Sequence, residues 1–118
     1  MLALQSDGRM IDDVRRMLVE VPPRTLSEAG ASIAAHDVRA ELANVDVPTI
    51  VVVGDHDLLT PPAHAAALRE VVAGAQLQVL AGVGHQVMQE EPIAVVAAVD
   101  LLSARHDGAT SHAALDAD

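Results

Sequence analysis

Cysteine, phenylalanine, tyrosine, tryptophan and lysine are all absent from this 118-residue chain. Without cysteine there is no disulfide framework and no thiolate chemistry. Aromatic rings each bury a large area, so a core of valine, leucine, isoleucine and alanine alone is thin, a first hint that the chain is part of a domain. The seven basic residues are all arginine and stand against 17 acidic ones, giving a net charge of −10. That balance argues against nucleic-acid and anionic-membrane partners, both of which need a basic face. The all-arginine usage has no structural account. No apolar run approaches the ~20 residues that span a bilayer, and the N-terminus lacks a basic segment followed by an apolar stretch. The expectation is a soluble cytoplasmic protein. What is present is a 51% share of hydrophobic residues, which supports one domain with one modest core rather than a disordered chain.

Read in order, Met10, Val14, Met17, Leu18 and Val21 recur at three- and four-residue steps and predict an amphipathic helix. Asp12 and Asp13 are expected in its first turn, and Pro22-Pro23 ends it. Thr25-Leu-Ser-Glu28 has capping-box spacing, so a second helix is expected there, burying Leu26, Ala29 and Ile33. His36-Asp37 interrupts it, with Asp37 capping a further turn. Residues 49–53 are continuously apolar and β-branched, the pattern of a strand covered on both faces. Thr60 is expected to cap a helix opened by Pro61 and Pro62 and stopped by Gly74. Gln76-Leu-Gln-Val-Leu80 alternates, as a half-exposed strand near a sheet edge does. Strand, helix and strand then fit a right-handed parallel crossover. Glu90 and Glu91 precede Pro92 at the start of a final helix, expected to bury Ile93, Val96 and residues 99–102, with a flexible tail over 105–118.

Each strand ends in glycine and an ionisable residue: Gly54-Asp-His-Asp57 after the first, Gly82-Val-Gly-His85 after the second. Parallel strands deliver their carboxyl ends to one rim, where ligand crevices form. Adjacent strands lie about 5 Å apart, so Asp57 and His85 can meet. The carboxylate would fix the imidazole tautomer, and the imidazole would act as general base and then general acid. On a plainer reading, Asp57 caps the helix that follows and His85 is an ordinary polar loop residue. Metal and cofactor sites are not expected. Asp55, His56, Asp57, His64 and His85 lack ligand spacing, and Gly82-Val-Gly-His lacks the third glycine of a dinucleotide fingerprint. His36, His64, His106 and His112 are expected at the surface, and Met88 in packing.

Val-Pro-Thr-Ile-Val-Val-Val-Gly-Asp-His-Asp-Leu-Leu-Thr-Pro, followed by Leu-Ala-Gly-Val-Gly-His-Gln-Val-Met-Gln-Glu-Glu-Pro, closely resembles the C-terminal third of α/β-hydrolase fold proteins. The likeness covers roughly residues 35–102. It implies that Asp57 is the acid and His85 the base of a Ser-His-Asp triad acting on ester or related bonds of a small-molecule substrate. The family's Gly-x-Ser-x-Gly elbow, which precedes the acid and base in chain order, has no counterpart here. Its nearest imitation, Gly30-Ala-Ser32-Ile-Ala34, keeps one glycine and lies in a helical pattern.

The fold class expected is therefore α/β: a partial α/β-hydrolase fold with two parallel strands and flanking helices. Residues 1–34 are expected as helices from the end of a cap region, 35–104 as the strand-helix-strand-helix core. The resemblance reads as the last two strands of the family's sheet, with Met1 opening partway through the cap. A natural truncation without function is one alternative. Another is a non-catalytic module that forms a homo-oligomer through the bare edge of the first strand, an edge that invites pairing with another chain.

Overall fold

The computed structural model describes residues 8–115, with side-chain surroundings through residue 105. The architecture is mixed α/β, two parallel strands flanked by helices. In chain order the elements are α1 (Gly8–Glu20), α2 (Pro23–Ala35), α3 (Arg39–Leu42), β1 (Ile50–Gly54), α4 (Pro62–Val71), β2 (Gln76–Leu80), α5 (Val87–Glu90) and α6 (Pro92–Leu115). No helix among the described residues is long and apolar enough to cross a membrane.

The β-branched run Ile50-Val-Val-Val53 forms β1, and β2 pairs with it in parallel from Ile50↔Gln76 to Gly54↔Leu80. That register puts the two carboxyl-terminal tips side by side. Helix α4 makes the crossover and packs on both strands. Gly74 follows it with φ +71°, a left-handed turn that glycine enters without the Cβ clash. The buried apolar side chains are Val53, Ala65, Val72, Val83, Val87 and Ala98. None is larger than valine, so each contributes only about 1.5–3 kcal/mol or less. The thin core expected of a chain without aromatics is what forms.

Several boundaries and faces differ from the sequence reading. Helix α1 starts at Gly8, so Asp12 and Asp13 lie beyond its first turn and pair with Arg15 and Arg16 one turn on, at 3.8 and 2.8 Å. Pro23 opens α2 because its fixed φ suits a first helical turn. The Thr25 capping box therefore does not form, and Glu28 accepts from Arg24 Nε at 2.7 Å. Asp37 does tie down the next turn, accepting from the Arg39 amide at 3.1 Å. Helices α1 and α2 bury no residue, and Ile33, expected inside, is 75% exposed. On α6, Ile93 is 78% exposed, and Val96, Val99 and Leu101 also face outward. The inward row is Val95, Ala98 and Leu102 at helical spacing, with the small Ala98 allowing close approach to the sheet. The helix continues to Leu115, where a tail was expected from Arg105. Residues 116–118 of that tail, and 1–7 of the cap-like segment, lie outside the described residues.

The Cα radius of gyration is 17.8 Å, against about 13.5 Å for a close-packed chain of this length. The packed unit is β1, β2, α4, α5 and α6.

Candidate functional site

Past β1 the chain turns tightly, the Asp57 amide donating to the Gly54 carbonyl at 3.2 Å. The loop after β2 crosses directly over this turn. A Cβ on Gly54 would lie 2.0 Å from the Val83 carbonyl oxygen and 2.6 Å from that of Gly84, so only glycine admits the crossing. Main-chain bonds fix it, Asp55 N to Leu80 O at 3.0 Å and His56 N to Val83 O at 2.9 Å. The Asp55 carboxylate adds a tie, accepting from the Gly82 amide at 2.7 Å, where Gly82 takes φ +74°.

The crossing brings the two expected residues together. His85 Nδ1 lies 2.9 Å from Asp57 Oδ2. The same oxygen accepts the Thr60 hydroxyl at 2.9 Å, while Oδ1 accepts the amides of Leu59 and Thr60, each at 2.9 Å. Asp57 is 4% exposed, and the His85 side chain is 34% exposed. Burial pushes the Asp57 carboxyl up. The bonds from the Thr60 amide, His85, the Thr60 hydroxyl and the Leu59 amide outweigh it and hold the carboxyl down at about 2. Asp57 therefore stays a carboxylate near neutral pH, a fixed acceptor for Nδ1–H. With that proton directed to Asp57, a neutral imidazole keeps its basic lone pair on Nε2.

The plainer reading of Asp57, a cap on the following helix, does not hold, because α4 starts at Pro62 without a side-chain cap bond. The carboxylate instead accepts the Leu59 and Thr60 amides in the turn after β1 and faces His85. Thr60 is not a helix cap. Helix α4 starts at Pro62 with Pro61 in the cap position, and the Thr60 hydroxyl donates to Asp57 instead, 3.3 Å from His85 Nδ1. Glu90, assigned by sequence to the start of the last helix, sits in α5. It accepts from the amides of Gly84 at 3.0 Å and Gln86 at 3.3 Å. A carboxylate four residues past Gln86, reaching back to the amide before a helical turn, is a variant of the capping box and was the available signal.

The remaining candidates stand apart. Ser32 is exposed within α2, not on a strand-to-helix turn. His36 and His64 are at the surface as expected, beside an open cavity of about 740 Å³ that Asp57 and His85 do not line. Met88 is 60% exposed rather than packed. The surroundings of His106 and His112 lie outside the described side chains. Among the described residues no group of three or more His, Asp or Glu could hold a metal ion.

No family profile and no solved structure matches the chain. Over 81 residues it is 31% identical to a pimeloyl-[acyl-carrier protein] methyl ester esterase of Nitrosospira multiformis, a match that covers 66% of this chain. The matched length is 31% of that esterase, so the chain spans about a third of its relative. The likeness the comparisons establish is thus to a hydrolase, and a distant one.

Proposed function

We propose that this chain supplies the acid and base of an α/β-hydrolase-type Ser-His-Asp relay for ester hydrolysis. The observation that carries the reading is the 2.9 Å contact between His85 Nδ1 and a buried, strongly hydrogen-bonded carboxylate. Asp57 would hold the imidazole with Nε2 free to act as base. A serine delivered by a strand-turn-helix element outside this sequence would attack the acyl carbon, its proton passing to Nε2. That proton then leaves with the alcohol, and water repeats the cycle on the acyl-enzyme. The esterase relative supports an ester as the substrate class.

The test is a hybrid in which this chain replaces the matched segment of the Nitrosospira esterase. Hydrolysis by the folded hybrid should fall by roughly 10⁴-fold in Asp57→Asn, the scale seen when a triad acid loses its charge, and further in His85→Ala. A folded, active hybrid indifferent to both changes refutes the proposal. The 118-residue chain alone should show no His85-dependent turnover of p-nitrophenyl esters, since it has no elbow serine.

A second reading, self-association, is favoured by the sheet itself. It has two strands among the described residues, and Ile50, Val51 and Val52 on β1 are only half-buried. A second copy pairing at that edge would cover them. Light scattering after size exclusion decides it: a monomer at every concentration excludes this reading.

A further inference from the structure

We infer that Glu90 is a positioning residue for His85, holding the base by gripping the main chain on either side of it. The inference rests on the reading of His85 as the base. Its two carboxylate oxygens divide the work: Oε2 takes the Gly84 amide and Oε1 the Gln86 amide. These are the residues immediately before and after His85. The His85 backbone is thereby suspended between two bonds to one rigid, planar group. A carboxylate is the side-chain group that offers two adjacent acceptors and no donor. Glutamine in its place keeps one acceptor and turns an N–H₂ toward the other amide.

The loop needs such a restraint. It carries glycine at 82 and 84, the residue with the most backbone freedom to lose. Asp55 secures its start through the Gly82 amide, and the crossing over Gly54 secures Val83. Neither reaches past Gly84. Glu90 covers the segment that remains, the one that carries the imidazole. A misplacement of about 1 Å in a reacting group costs on the order of 10²-fold in rate, so a grip on the adjacent amides serves the chemistry directly. By sequence both adjacent acids before Pro92, Glu90 and Glu91, mark a helix start; the fold gives the first of them, Glu90, a different task.

The measurement is NMR of the ¹⁵N-labelled chain, reading the His85 Nδ1 proton and its exchange with solvent. In the unmodified chain the signal should be present, and Asp57→Asn should abolish it. In Glu90→Gln the exchange should quicken roughly tenfold, the scale of one lost charge-assisted hydrogen bond. Glu90→Asp, which keeps both acceptors on a shorter stem, should fall between. If the signal is absent from the unmodified chain, or survives Asp57→Asn, the Asp57–His85 reading fails and takes this inference with it. If Asp57→Asn abolishes the signal while Glu90→Gln leaves its exchange unchanged, the positioning role alone is refuted. Should neither Glu90 variant fold, the Gly84 and Gln86 amides of the unmodified chain decide. Protection like that of β1 supports the inference, and exchange at free-peptide rates overturns it.

Discussion

Substituting Gly54→Ala is the most direct test of how the site is built. The added methyl would sit 2.0 Å from the Val83 carbonyl oxygen, where ordinary contact begins at 3.4 Å. The obstacle is backbone, not the end of a flexible side chain, so the loop after β2 has to retreat by about 1.4 Å, since the repulsion at shorter range is steep. That retreat strains the His56 N to Val83 O bond and partly uncovers Val83, one of the few buried side chains. Overpacking costs about 1–3 kcal/mol and a weakened hydrogen bond about 1 kcal/mol, for a total near 3 kcal/mol. Against a stability of about 5–15 kcal/mol this is a large fraction. With a urea slope of about 1–3 kcal/mol/M, the unfolding midpoint should drop by about 1–3 M. The chain has no aromatic residue, so the assay is far-UV circular dichroism rather than fluorescence. The same retreat carries His85 beyond hydrogen-bonding reach of Asp57, and the Nδ1 proton signal should vanish with it. A midpoint within about 0.3 M of the parent, which is about 0.9 kcal/mol or less, together with an intact signal would refute the close-crossing account.

Other expectations are simpler to state. The Asp57 carboxyl is held at about 2, below its ordinary 3.8; such a group adds stability that is full above the unfolded value and is lost as pH falls through 3.8 toward 2. The loss should be on the order of 2 kcal/mol, seen as a drop in urea midpoint between pH 6 and pH 2.5 that Asp57→Asn reduces. Asp55→Ala leaves the Gly82 amide without its 2.7 Å acceptor. It should cost about 1–2 kcal/mol and raise the hydrogen exchange of that amide while β1 stays protected. Ser32→Ala, at an exposed position on α2, should leave the hybrid esterase within twofold of its parent rate; a loss comparable to that of His85→Ala would return Ser32 to the site.

Much of the site was legible because it is written in local chemistry. The valine run of β1, the glycines that close both loops and the ionisable residues after them are near neighbours in sequence. The parallel register then needs only the α4 crossover to bring Asp57 to His85. What could not be read depends on partners distant in the chain. Leu26 and Ile33 have the spacing of a buried face, but burial requires a surface to pack against, and α2 buries none of its residues. On α6 apolar residues surround the helix, so periodicity does not select the Val95, Ala98 and Leu102 row; contact with the sheet does. Thr60 looked like a cap because Pro61-Pro62 mark a helix start, yet the helix begins at Pro62 and the Thr60 hydroxyl is drawn to Asp57, a partner that only the turn after β1 supplies. Glu90 was hidden by Pro92, whose helix-start signal drew both neighbouring acids to itself.

Five of the seven arginines, at 9, 15, 16, 24 and 39, fall in or beside the three helices that precede β1. Since α1 and α2 bury no residue, they open locally more readily than the elements that hold the core. Trypsin should therefore trim this limb early and leave a resistant remainder beginning near Ala40. The dyad would travel with that remainder, since Asp57 and His85 both lie beyond the last of these arginines.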